Sequence, residues 1–280
     1  MTEICNLACI HCPHPQFKKS HHYGARYLPL ELSQKAVTEV AQHGSQYIRF
    51  TAEGEPLIHP QVFDMLDDAV SRSGTFVTVT TNGTIMHKRL DGLLASGLHM
   101  IDVSIDAFSP ETYSKIRGGD LKVVRRNVLD LIHRARGTAT KVVVSFIEQD
   151  LNREERDAFT SFWTDAGAWK IVVRRLHSAA GEMEHDRMGG DRYPCLYPWE
   201  RIVLAPDGWL RFCPQDWVNG SKVADYNTTT IKEVWEGEFY SKLRQSHFEH
   251  ECLGLCKNCP DWAQTRWPWQ GLSYSNLVST

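Results

Sequence analysis

Five short runs rich in β-branched residues punctuate the first part of the chain: QYIRFTAEGEP (46–56), TFVTVTTNG (75–83), HMIDVSID (99–106), KVVVSFIEQ (141–149) and KIVVRRL (170–176). Each predicts a strand. Between them, LELSQKAVTEVAQHG, VFDMLDDAVSRSG, KRLDGLLASG, LKVVRRNVLDLIHRARG and EERDAFTSFWTDAG place apolar residues every three or four positions and mostly end in Gly, a common helix stop. Strand and helix alternating this regularly predict a parallel sheet of βαβ units. Such a sheet gathers its chemistry on the loops after the strands, here AEGEP, TNG, SIDAFSP and RRLHSAAG.

The pattern changes after Leu176. Residues 177–194, HSAAGEMEHDRMGGDRYP, are rich in Gly and charge and read as a linker. From Pro194 to Trp262 the strand–helix alternation stops and a cysteine-bearing module begins.

With 280 residues, 42% of them hydrophobic, the chain can bury a large core as one domain plus a small appendage. A formal net charge of −3 lacks the basic excess of a nucleic-acid binder. The sequence has no 18-residue apolar run, and its amino terminus lacks the charged and apolar regions of a secretory signal. These features predict a cytoplasmic protein with no nucleic-acid or membrane partner. Eight cysteines in a reducing compartment then point to metal ligands or reactive thiols rather than disulfides. They form a trio at Cys5, Cys9 and Cys12 and a group of five at Cys195, Cys213, Cys252, Cys256 and Cys259.

Three thiolates bind three irons of a 4Fe-4S cluster and leave the fourth iron open. A zinc site completed by His11, His14 or His21 is the alternative. The CysXXXCysXXCys spacing, followed by GEP, TNG and SID on successive strand ends, resembles the radical S-adenosylmethionine (SAM) superfamily. The resemblance implies a partial (β/α)6 barrel over 1–176. It also implies that the open iron chelates the methionine part of SAM and that a 5′-deoxyadenosyl radical is produced. By position, Gly54, Glu55 and Pro56 match the segment that contacts the methionine amino group. Thr81, Asn82 and Gly83 lie near the cofactor, Ser104 and Asp106 match positions facing the ribose, and His11 matches the position near the adenine. Two departures stand out. Only Met1 to Ile4 precede Cys5, so either the first strand is very short or the reading frame begins upstream. The other is AEGEP, where Gly-Gly-Glu-Pro is usual.

The segment Cys195 to Cys259 resembles the SPASM and twitch modules that hold auxiliary iron-sulfur clusters, placing such a module at 195–280. Five cysteines match the one-cluster twitch form. The spacing is similar to that of aminoglycoside enzymes of the 2-deoxy-scyllo-inosamine dehydrogenase and neomycin C epimerase type. That likeness implies Cys195, Cys213, Cys256 and Cys259 as ligands and leaves Cys252 over. Cys252 is then a hydrogen-atom donor, an inert buried thiol, or a ligand in place of another cysteine. A zinc ribbon on the same cysteines is the alternative for the module.

The chemistry expected from this resemblance is abstraction of a carbinol hydrogen from an aminoglycoside or related sugar. A thiol on the opposite face favours epimerisation with Cys252 as donor, and oxidation to a ketone is the second reading. Peptide modification is a further class, whereas a bare iron-sulfur carrier would not need GEP, TNG and SID. The implied partners are the sugar and an external one-electron reductant such as flavodoxin or ferredoxin. Asp216, Trp217, Asp225 and Asp261 would suit a polycationic sugar, the alternative for each being a solvated turn acid or a core aromatic. Of Arg174 and Arg175 only one should point inward, and Arg175 is assigned to the cofactor. His11, His14, His177 and His185 read as surface or loop histidines.

Overall fold

The computed structural model describes residues 1–51, 53–183 and 191–265. A single turn, α1 (His14–Phe17), follows the cysteine trio. The five expected strands all form: β1 (Tyr47–Phe50), β2 (Phe76–Thr81), β3 (Met100–Ser104), β4 (Lys141–Glu148) and β5 (Lys170–Arg175). They pair in parallel in the order β1-β2-β3-β4-β5. The helices are α2 (Leu30–His43), α3 (Val62–Arg72), α4 (Leu90–Ala95), α5 (Pro110–Arg117), α6 (Leu121–Ala135) and α7 (Arg156–Asp165). α5 was not among the segments of helical period. Ser109 starts it by accepting the Thr112 amide, and Gly118, at φ 74°, ends it in the left-handed region.

The two faces of the sheet differ. Val77, Val79, Ile101, Val103, Val144 and Phe146 are fully buried and face the helices, where Leu66, Leu131 and Phe159 meet them. Each such side chain contributes about 1.5–3 kcal/mol. The alternate positions, Arg49, Thr80, Asp102, Ser104, Ser145 and Arg174, carry polar side chains to the opposite face. A polar lining on one face of a buried parallel sheet marks the side on which a cavity opens.

The sheet has five strands among the described residues, not the six expected. Met1 to Ile4 lie along the loop after β1 without forming a strand of the sheet: the Thr2 carbonyl accepts the Gly54 amide at 2.9 Å and the Ile4 carbonyl accepts the Glu55 amide at 2.8 Å. Gly is required at 54, since a Cβ there would lie 2.1 Å from the Ile4 oxygen.

The second module carries an antiparallel sheet of β6 (Val203–Leu204), β7 (Trp209–Arg211) and β8 (Lys222–Asp225). With it come α8 (Tyr197–Glu200), α9 (Ile231–Glu236) and α10 (Glu238–Phe248). It rests on α2. Glu39 accepts the Tyr226 hydroxyl at 2.7 Å and the Ile231 amide at 2.6 Å, and Lys35 donates to the carbonyls of Tyr226 and Thr229. Residues read as linker are partly structured: the Asp261 carboxylate accepts the amides of Ser178 and Ala180 at 2.7 and 3.0 Å, pinning the Ala179–Gly181 turn. His185 lies outside the described residues.

Candidate functional site

A cavity of 710 Å³ opens on the polar face of the sheet. Cys5, Cys9 and Cys12 line it together with Gly54, Glu55, Pro56, Thr81, Asn82 and Ser104. Residues from four separate loops and strands therefore converge on one space. The cysteine loop is held at both ends: Cys12 donates its amide to the Cys9 carbonyl at 3.1 Å, and Ile10 donates to the Ile116 carbonyl at the end of α5 at 2.9 Å. All three thiols are free. Burial pushes them up, Cys5 to about 11, Cys12 to about 12 and Cys9 in the same direction. Ionised thiolates there need an added positive charge, which a metal supplies.

Glu55 is 2% exposed. Its carboxylate accepts the Thr81 hydroxyl at 2.6 Å, the Asn82 amide at 2.7 Å and the Leu57 amide at 3.1 Å. Burial raises its pKa, opposed by those three donors. The Leu57 bond caps the Pro56–Ile58 turn, so Glu-Pro is a local cap as well as part of the cavity wall.

Asp106 departs from its expected place. Its backbone is left-handed at φ 63°, its side chain is fully buried, and it is not part of the cavity wall. The carboxylate pairs with the Arg117 guanidinium, accepts the Ile147 amide at 2.7 Å and stands 3.6 Å from His11 Nε2. Arg117, which sequence reasoning missed, also places Nη1 3.9 Å from Cys9 Sγ. A basic residue at the last turn of the unanticipated α5 was its only signal.

Deeper on the same face, Asp102 accepts from Arg174 at 2.9 Å and from the Ser145 hydroxyl, with Arg49 3.8 Å away. Burial pushes Asp102 up, but the two guanidiniums and the hydroxyl outweigh it and hold the carboxyl below its ordinary value. Arg49 and Asp102 were also missed, although a charge within a strand was visible in YIRF and MIDVS. Both Arg174 and Arg175 line the cavity, where only one was expected.

A smaller cavity lies in the second module. Cys195, Cys213, Cys256 and Cys259 line it with Tyr197, Gln215 and His247. Burial raises these thiols too, Cys195 and Cys256 to about 12, Cys259 to about 11 and Cys213 well upward. Tyr197 and Gln215 line both cavities.

The comparisons with known proteins agree with this geometry. The Radical SAM superfamily profile matches residues 1–158, and that of the SPASM iron-sulfur cluster-binding domain matches 195–260. The chain belongs to the radical SAM superfamily. A GTP 3',8-cyclase of Alkaliphilus metalliredigens is 31% identical over 169 residues, 59% of this chain and 51% of that protein. A probable GTP 3',8-cyclase of Methanococcus vannielii is 26% identical over 173 residues, 62% of this chain and 56% of that protein. The chain thus spans about half the length of the curated relatives it matches. Among solved structures, BtrN in complex with AdoMet and 2-DOIA matches with a TM-score of 0.60 at 16% identity, covering 92% of this chain and 89% of that one. Streptococcus suis SuiB bound to the precursor peptide SuiA matches at 0.70 and 13%, covering 100% and 71%. These likenesses show a shared fold.

The cofactors of this radical SAM chain are S-adenosylmethionine and iron-sulfur clusters, and its residues fit them. Cys5, Cys9 and Cys12 present three thiols to an open cavity, and four further thiols surround the second. Among the described residues, no group of three or more His, Cys, Asp or Glu is arranged to hold a metal ion. A 4Fe-4S cluster instead takes one thiolate per iron, so its sulfurs stand apart. Two of the histidines named for zinc are engaged elsewhere: His14 Nε2 is 2.8 Å from the Glu3 carbonyl, and His11 faces Asp106 and Gln149; the His21 ring lies against that of His22, tilted by 43°. His14 is buried, contrary to expectation, and His11, also buried, lines the large cavity together with His177.

Two further expectations are corrected. Cys252 is in neither cavity wall; its thiol is buried and points to the Ser246 carbonyl at 3.7 Å, the wrong place for a donor to a substrate in the large cavity. The acids expected to greet a polycationic sugar serve the backbone: Asp216 accepts the amides of Val218, Gly220 and Ser221, Asp225 that of Asn227, and Asp261 those of Ser178 and Ala180. Trp217 does line the large cavity, its ring edge-on to Phe17. No helix among the described residues is long and apolar enough to cross a membrane.

Proposed function

We propose that this radical SAM enzyme oxidises a carbinol carbon of a small sugar-like substrate to a ketone. When bound, the clusters and S-adenosylmethionine supply a 5′-deoxyadenosyl radical that takes a carbon-bound hydrogen at the Cys5, Cys9, Cys12 end, and a one-electron acceptor at the Cys195 end. A carbinol that loses a hydrogen atom, then a proton and an electron, ends as a ketone. The observation that carries the reading is that Tyr197 and Gln215 stand in both cavity walls, so a substrate in the larger cavity is separated from the four thiols by a thin partition.

Supporting the substrate class, a cavity of 710 Å³ lies in the range of small-molecule sites, and S-adenosylmethionine shares it with the substrate. BtrN, of the same fold, has been seen with AdoMet and 2-DOIA. The wall carries Arg49, Arg117, Lys170, Arg174, Arg175 and Arg201 against Glu53, Glu55 and Glu200, and although Arg49 and Arg174 are paired with Asp102 and Arg201 with Glu200, the basic excess favours a neutral or acidic sugar over a polycationic aminoglycoside. Epimerisation loses its motivation with Cys252 outside the cavity. An external one-electron reductant such as flavodoxin or ferredoxin is part of the proposal.

The test is anaerobic turnover of the reconstituted chain with SAM and a panel of sugars and cyclitols in deuterated water. Oxidation yields one 5′-deoxyadenosine per product that is two hydrogens lighter. A product of unchanged connectivity carrying solvent deuterium at an inverted carbon would sink the dehydrogenase reading in favour of the epimerase.

A further inference from the structure

His247 lies at the end of α10, ahead of the last three cysteines, and shares the wall of the auxiliary cavity with Cys195, Cys213, Cys256 and Cys259. It is 2% exposed. Its Nδ1 accepts the backbone amide of Cys195 at 3.4 Å. A neutral imidazole whose Nδ1 accepts carries its proton on Nε2. That Nε2 is buried and has no hydrogen-bond partner among the described residues. Leaving such a donor unmade costs about 1–3 kcal/mol, so buried donors without partners are rare and call for an acceptor. The ring packs edge-on with the indole of Trp199, the centroids 6.1 Å apart.

We infer that His247 donates a hydrogen bond from Nε2 to a sulfur of the auxiliary cluster and thereby raises that cluster's reduction potential. The inference rests on the reading that Cys195, Cys213, Cys256 and Cys259 hold that cluster. A donor beside the sulfurs stabilises the extra negative charge of the reduced form, and hydrogen bonds to sulfur are among the features that set cluster potentials. His247 is a positioning and tuning residue, not a ligand: the four thiols already satisfy one cluster. A potential raised in this way would make the site a better electron acceptor in the proposed oxidation.

The experiment is an EPR-monitored redox titration of the full, anaerobically reconstituted chain, with iron counted per chain. The radical SAM cluster is recognised by the change in its signal on adding SAM. His247→Phe keeps the ring and removes the donor; it should retain both clusters and shift the auxiliary equilibrium toward the oxidised form by about tenfold, about 59 mV for one electron, with the other cluster unmoved. His247→Gln, which keeps an N–H, should stay near wild type. An unmoved auxiliary potential in His247→Phe overturns the inference, as does an equal shift of both clusters or loss of the auxiliary cluster from the Gln variant. Independently of any variant, pulsed EPR on wild type labelled with [15N]histidine should show a weak nitrogen coupling to the reduced auxiliary cluster. Absence of coupling, or the strong coupling of a directly bound nitrogen, also overturns it. Wild-type iron sufficient for only one cluster would instead refute the four-thiol reading, and the inference with it.

Discussion

The Thr81 hydroxyl donates to the Glu55 carboxylate at 2.6 Å, tying the loop after β1 to the end of β2. Two motifs that sequence reading assigned separately to the cofactor, GEP and TNG, are thus bonded to each other. Glu55 also takes the amides of Asn82 and Leu57, so its carboxylate organises the cavity wall.

Glu55→Gln leaves one acceptor oxygen for three donors. The expected cost is about 1–3 kcal/mol, from a buried donor left unsatisfied. The check is thermal melting of the chain without SAM. A melting temperature equal to wild type would mean that Glu55 serves the cofactor alone.

Cys5→Ala, Cys9→Ala and Cys12→Ala should each abolish SAM cleavage, because a cluster with an open iron needs all three thiolates. Retained formation of 5′-deoxyadenosine in any one of them would remove the core assignment. Single Ala variants of Cys195, Cys213, Cys256 or Cys259 should instead lower iron to about one cluster per chain while sparing the trio.

Asp102 is fully buried between Arg174 and Arg49, and breaking such a pair costs about 3 kcal/mol. Asp102→Asn should therefore be less stable at neutral pH, by denaturant titration. The sign of the pH effect follows from a carboxyl held below its ordinary value of 3.8. Its contribution is present in full above that value and is lost as pH falls toward the folded value. The gap between wild type and Asp102→Asn should accordingly narrow below pH 3.8. A gap independent of pH would argue against a charged Asp102.

Cys252→Ala should keep both clusters, SAM cleavage and the oxidised product, since among the described residues the thiol points to the Ser246 carbonyl and lines neither cavity. Iron analysis and product mass spectrometry decide it. Loss of one cluster would make Cys252 a ligand, and selective loss of an inverted product would restore it as the hydrogen donor.

Much of the site was legible because its signals are local. Strand period, the Gly stops of helices and the three-thiol spacing each depend on residues a few positions apart, and all five strands formed where the β-branched runs lay. Cys195 and Cys213 were placed with Cys256 and Cys259 by resemblance, and the fold brings those four to one cavity. Arg117 escaped notice because α5 is short and lacks a strong apolar stripe. Asp216 and Asp261 could not be settled between sugar contact and turn acid, because their partners are backbone amides that no residue-type pattern displays.

Period and spacing express local backbone geometry, so the order of residues along the chain was enough to specify the parallel α/β core, the radical SAM trio and the cysteine-bearing second module. That Asp106 turns to Arg117, that Cys252 stays out of the cavity and that His247 enters the auxiliary site emerges with the folded arrangement. Those outcomes depend on which distant side chains meet once strands are paired in register. A buried polar group must then find its partner across the fold rather than along the chain.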